Sequence, residues 1–189
     1  FELGIIDNLG KFNRNLNSNR IREIDGVYEY VLAWKNVTQI DRDIVISETD
    51  IGNLIRAKGA IYSGCQTLLD GVGLSIVDLD GIILAGGFGS QVDIEKAMTI
   101  GLLPEIDPDK VTYIGNGSLM GARMSSLTNR IRKDVVEVMR RMTNFELSET
   151  PSFMDHYVAA LFLPHTNINL FPKLKERLET RAMHDKWIQ

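Results

Sequence analysis

Four apolar residues, Ile82-Ile83-Leu84-Ala85, run directly into Gly86-Gly87-Phe88-Gly89-Ser90, and a helical periodicity resumes near Asp93. So short and continuous an apolar run predicts a strand buried on both faces, as in parallel sheets covered by helices. The pattern returns at Val111–Ile114, followed by Gly115-Asn116-Gly117 and a helix through Leu127. Ahead of both, Ile51, Leu54, Ile55, Ile61, Tyr62, Cys65, Leu68 and Leu69 recur at helical spacing and predict a long helix ending near Asp70. Ser47 and Thr49 are its cap candidates, Glu48 and Asp50 suit its first turn, and Gly71 and Gly73 end it. A further helix runs from Asp93 to about Ile100, stopped by Gly101 and Pro104. The middle of the chain therefore alternates helix, strand and glycine turn, which predicts an α/β layer with at least partly parallel strands.

The flanks are less regular. Residues 1–12 read as a short amphipathic helix, and Asn13–Asn19 as a polar connection. Val27–Trp34 and Ile44–Ser47 read as strands joined by a hairpin connection over Lys35–Asp43. Helical spacing returns over Asn129–Met142, and Phe145–Leu147 reads as a short strand. Thr150-Pro151 opens a helix through about Phe162, which Pro164 stops. Leu174–Trp187 reads as a charged surface helix. The division expected is a main lobe, 1–142, with a helical extension, 143–189, packed on the same domain.

Composition narrows the functional classes. A net charge of −4 disfavours a nucleic-acid surface, and no dense run of Lys and Arg opposes that. No apolar segment reaches the length of a membrane span, and no signal-peptide pattern is present. Cys65 is the single cysteine, which excludes a disulfide within the chain and a cluster held by about four thiolates. It reads as a small buried hydrophobe of a cytoplasmic protein. His156, His165 and His184 follow no metal-ligand spacing, so no metal is expected on this chain alone. The first residue is Phe1 rather than Met, which reads as a piece of something longer.

The candidate chemistry centres on glycine. Three glycines in four residues at a strand end let backbone amides approach a ligand, and open α/β sheets bind ligands beyond their strands' carboxyl ends. The alternative is a tight strand-to-helix turn with no ligand. Gly115-Asn116-Gly117 would lie beside the first turn if the two strands are neighbours, forming one wall of a cleft. With Gly121 it matches a loose GxGxxxG, but the acidic residue at the right distance, Asp134, falls in a helical pattern, so a dinucleotide fingerprint fails. Lys58 falls inside the apolar face of the long helix, where it either snorkels or holds an acceptor or anion. Gly59 and Gly64 thin the same helix and admit a close neighbour. No GxSxG, GxxxxGK[ST] or HExxH occurs, and His165 reads either as a structural turn residue or as a group for proton chemistry.

Gly81–Leu127 resembles the C-terminal region of the reductive activators of corrinoid enzymes, the corrinoid activation proteins of methyltransferase systems. Thr49–Gly64, Ala160–Pro172 and Gly4–Phe12 resemble further stretches of that family. The resemblance implies an α/β fold of the ribonuclease H-like, actin-like ATPase kind (the superfamily of acetate and sugar kinases, Hsp70 and actin), with a mixed sheet flanked by helices and extra C-terminal helices. It implies ATP-dependent return of a Co(II) corrinoid to Co(I), with electrons from an upstream [2Fe–2S] domain. Gly86, Gly87, Phe88, Gly89 and Ser90 resemble the adenosine motif, the first two passing beneath the nucleotide's sugar and phosphates. Gly115 and Asn116 lie in the neighbouring turn, and Gly117, Gly121 and Ala122 resemble the second connecting motif. Lys58 would stand where relatives place adenine-contacting side chains.

Two parts of the family pattern are not found: the Asp-rich phosphate hairpin that organises Mg²⁺, and the four cluster cysteines. The reading is therefore the nucleotide-side lobe of a larger activator, with most Mg²⁺ ligands outside it and little ATP hydrolysis of its own. Its expected partners are a corrinoid protein of a methyltransferase system and the upstream half of its own polypeptide, with a homodimer also open. Catalytic residues are not identifiable. The rival readings are a small-molecule kinase of the same superfamily and a nucleotide-free interaction or dimerisation module.

Overall fold

The computed structural model describes residues 1–187, the side chains of Phe88, Ser90 and residues 182–187 excepted. In chain order its elements are β1 (Ile21–Ile24), β2 (Val27–Ala33), β3 (Ile44–Ser47) and α1 (Glu48–Gly71). Next come β4 (Ile82–Leu84), α2 (Ile94–Thr99), β5 (Val111–Tyr113) and α3 (Gly117–Leu127). Three helices complete it: α4 (Asn129–Arg141), α5 (Ser152–Ala160) and α6 (Pro172–Trp187).

The strands form two sheets. β1-β2-β3 is antiparallel, while β4 and β5 pair in parallel with Ile82 opposite Val111 and Leu84 opposite Tyr113. Parallel and antiparallel pairing are thus both present, divided between the sheets. The expected hairpin joins β2 to β3. β1 escaped the pattern reading; Asp25 and Gly26, both at positive φ, make the tight turn that pairs it with β2.

α1 carries the core. Ser47 caps it: the Ser47 hydroxyl accepts from the Asp50 N–H at 3.1 Å, and the Asp50 carboxylate accepts from the Ser47 N–H at 2.9 Å. Thr49 lies in the first turn instead. Ile51 and Ile55 pack with Phe12 and Leu163, and one end later Tyr62 packs with Ala160, Phe171 and Leu174. α5 lies along α1 at Gly59, where a Cβ would come 3.3 Å from the Ala160 carbonyl oxygen. That is the close neighbour which the thinned helix admits.

Four local expectations are corrected. Residues 1–12 form turns and an Ile6–Phe12 bridge rather than a helix, because Gly4 and Gly10 take positive φ and Asp7 Oδ1 accepts the Leu9 and Lys11 N–H groups. Phe145–Leu147 is no strand: Phe145 packs against Gly71, where a Cβ would meet its ring at 2.5 Å, and Leu147 opens a 3₁₀ turn. Thr150 does not cap α5; its hydroxyl donates to the Glu146 carbonyl. β4 is not buried on both faces, since Ile83 is 69% exposed and its two-stranded sheet has no cover on that side among the described residues. α6, expected on the surface, also sends Leu174 into the core.

Candidate functional site

Parallel pairing sends the carboxyl ends of β4 and β5 out at one edge, and the ladder continues past both strands. The Ile114 N–H donates to the Leu84 carbonyl at 3.0 Å, and the Gly86 N–H donates to the Gly115 carbonyl at 2.7 Å. The two glycine turns therefore lie side by side. The Tyr113 hydroxyl donates to the Gly86 carbonyl at 2.6 Å and fixes that peptide from across the sheet. Sequence reasoning passed over Tyr113; its place at the end of the second apolar run was the available signal.

The glycines answer to different causes. Gly86 (φ +108°) and Gly115 (φ +70°) occupy the region that side chains avoid. At Gly89 a Cβ would come 3.0 Å from the Tyr113 ring, so a side chain there requires the ring to shift. Gly87 has neither reason. Its backbone is right-handed helical (φ −63°, ψ −32°), and among the described residues a Cβ would meet no atom within 4 Å beyond its chain neighbours. What the missing Cβ leaves at Gly87 is open space, and among the described residues Gly86 and Gly115 each have open space at their own Cβ positions. The side chains of Phe88 and Ser90 lie outside the described residues.

α3 opens at the rim of this cradle, so the positive end of its dipole lies at the glycine edge, and its Gly117 N–H donates to the Gly115 carbonyl at 3.0 Å. Asn116 is its N-cap, Oδ1 accepting from the Leu119 N–H at 3.0 Å. That oxygen is committed to the helix. Gly121, in the same helix, has open space where a Cβ would stand.

Lys58 lies elsewhere. Its side chain is fully buried, and Nζ donates to the Phe162 carbonyl and, at 2.5 Å, to the Pro164 carbonyl. Neither acceptor belongs to a glycine turn, so the structure does not bring Lys58 together with Gly86, Gly87 or Gly115. Burial lowers its pKa to about 8, and the two carbonyls are the favourable partners of the charge that remains at neutral pH. Beside it, His165 Nδ1 accepts from the Asn167 N–H at 3.0 Å while Nε2 is buried without a partner. Burial, then the Lys58 charge and then His156 push the imidazole down to about 4. It is neutral at pH 7, which favours its structural reading over proton chemistry.

Over residues 1–175 the chain matches the family model described as the C-terminal domain of RACo, the ASKHA domain. The chain belongs to this family. Among curated proteins, this ASKHA domain is 32% identical over 167 residues to the corrinoid activation enzyme RamQ of Eubacterium limosum, covering 84% of the chain and 28% of that protein. It is 30% identical over 120 residues to the [Co(II) methylated amine-specific corrinoid protein] reductase of Methanosarcina barkeri, covering 62% of the chain and 22% of that protein. Among solved structures, the reductive activator for corrinoid, iron-sulfur protein matches with a TM-score of 0.83 and 49% identity, covering 92% of this chain and 28% of that one. The chain thus spans less than a third of the length of each relative.

Among the described residues, no group of three or more His, Cys, Asp or Glu side chains is placed to hold a metal ion. No helix among them is long and apolar enough to cross a membrane.

Proposed function

We propose that this ASKHA domain is the nucleotide-side lobe of a reductive activator of a corrinoid protein, binding ATP at the paired glycine turns. The observation that carries the reading is the cradle itself: Gly86, Gly87 and Gly115 lie together at one sheet edge with open space over all three. Gly87 is glycine where neither backbone nor packing asks for it. The backbone of Gly86 and Gly87 would pass beneath the sugar and phosphates. The dipole at the amino end of α3 would add positive potential at the same rim. The Tyr113 hydroxyl would hold the Gly86 peptide in one orientation, so that the cradle is formed before ligand arrives.

The relatives' activities suggest the substrate class. In that reaction a Co(II) corrinoid on a partner protein of a methyltransferase system gains one electron, supplied by a [2Fe–2S] cluster in an upstream domain, and becomes Co(I). No bond to this chain forms or breaks. Mg²⁺ would accompany the nucleotide, held mostly by residues of an upstream half of the polypeptide. Exposed apolar residues on successive elements support such a neighbour: Ile83 of β4 is 69% exposed, Leu119 and Leu127 of α3 are 66% and 70%, and Met139 of α4 is 65%. A nucleotide spanning two lobes would favour a closed state, and that preference would be coupled to docking and electron transfer. This activity belongs in the cytoplasm, and the lobe alone would turn over little ATP.

Thermal unfolding with added ATP or ADP tests the reading. A nucleotide at a hundredfold excess over its Kd stabilises by about 2.7 kcal/mol, which raises the unfolding midpoint by several degrees. Gly87→Val should abolish that rise and leave the unliganded midpoint within about 1 °C, because its side chain enters open space. No rise for the unaltered chain at millimolar nucleotide would contradict the proposal and favour a nucleotide-free interaction module.

A further inference from the structure

Lys58 is the deepest charge in the described molecule, and its partners are unusual. Its hydrogen bonds go to two backbone carbonyls, Phe162 and Pro164, in the turn that leaves α5. Both carbonyls lie beyond α5 and its C-cap Leu161, in irregular backbone that supplies no helical donors, and the buried ammonium supplies them instead. Removing the ammonium would leave both acceptors buried and unpaired, a cost the turn can relieve only by moving.

The Pro164 carbonyl also lies close against Gly101. Gly101 takes φ +73°, and a Cβ there would come 2.2 Å from the Pro164 oxygen and 2.9 Å from its carbonyl carbon. Gly101 closes α2, its N–H donating to the Met98 carbonyl at 2.9 Å. Ile100, one residue earlier, packs in the same cluster as Leu163. From there the packing reaches the glycine edge: Ala97 and Met98 of α2 form one buried cluster with Leu103, and Leu84 of β4 and Val111 of β5 pack against that cluster. Lys58, Pro164, Gly101, α2 and the end of β4 form one unbroken line of contacts.

We propose that Lys58 is a positioning residue for the glycine cradle. By gripping the Pro164 carbonyl it seats Gly101 and the carboxyl end of α2, and α2 in turn holds the 86–89 turn against β5. The wheel position of Lys58 on an apolar face then has its explanation in the geometry of the site rather than in contact with a ligand. The consequence for affinity rests on the nucleotide reading above; the mechanical link does not.

Two readouts on Lys58→Met, Gly101→Ala and the double variant test it. In hydrogen exchange, Lys58→Met should speed exchange at least tenfold in two separate places, residues 162–166 and residues 86–103, with β1–β3 unchanged. In ADP titration, each single variant should raise Kd about tenfold. The double variant should be no weaker than the worse single, since both break one contact. Exchange that quickens at 162–166 but not at 86–103 would overturn the proposal, as would additive losses of affinity. Lys58→Gln, which keeps one amide donor for the turn, should give an intermediate exchange response and supplies the same comparison should Lys58→Met not fold. If the unaltered chain binds no ADP, the nucleotide reading fails while the exchange result still decides the role of Lys58.

Discussion

A buried imidazole that accepts an N–H on one nitrogen and has no partner on the other resists protonation. His165 is held that way, down to about 4 against the ordinary 6.5. Between these values the unfolded chain binds the proton and the folded one does not, so stability falls as pH drops from about 6.5 and the loss is complete below about 4. The full contribution is on the order of 2 kcal/mol. Asp43, Asp50, Asp78 and Asp93, each lowered by its hydrogen bonds, add acid sensitivity of their own at lower pH. The clean measurement is therefore a difference: urea midpoints from pH 4 to 7 for the unaltered chain and for His165→Asn, whose amide oxygen can still accept the Asn167 N–H. The two curves should converge as pH falls. Parallel curves would refute the assignment. Neither the depth of His165 nor the partners of Lys58 was legible in sequence. The helical wheel singled out Lys58 as anomalous, but both its acceptors are backbone atoms more than a hundred residues away.

Among elements, what was legible is what short-range chemistry decides. The starts of α1, α2 and α3 are each marked by a side chain that accepts from a backbone N–H three residues on: Ser47, Asp93 and Asn116. Ser47→Ala should cost about 1 kcal/mol by removing half of a reciprocal capping box, lowering the thermal midpoint by about 2–4 °C without altering the fold. An unchanged midpoint would mean that α1 is held by its packing alone. The first twelve residues misled because Ile5, Ile6, Leu9 and Phe12 have helical spacing. The deciding contact is long-range: Gly10, at φ +77°, lets the chain lie against Ile51 and Ile55, where a Cβ would meet Ile51 at 2.5 Å. Phe145 looked like part of a strand because Phe145 and Leu147 alternate with the polar Glu146, yet its place is a plug over Gly71. β1 is four residues long, and its evidence lay in the Asp25-Gly26 turn rather than in its own pattern.

On the scale of the whole molecule, the resemblance read from Gly81–Leu127 and three shorter stretches agrees with the family match over residues 1–175. The side-by-side glycine turns followed from parallel pairing and are present. The pairing register that brings the Tyr113 hydroxyl to the Gly86 carbonyl could not be read in advance. The apolar surface of β4, α3 and α4 likewise gave no warning, because an apolar run looks the same whether or not a neighbour covers it. The central claim is that nucleotide binds where the two turns meet, and amide chemical shifts recorded during an ADP titration test it most directly. The account predicts the largest, saturable shifts at residues 85–91 and 113–119, with β1–β3 and α4 unmoved. Shifts absent at millimolar ADP, or confined to residues away from both turns, would contradict it.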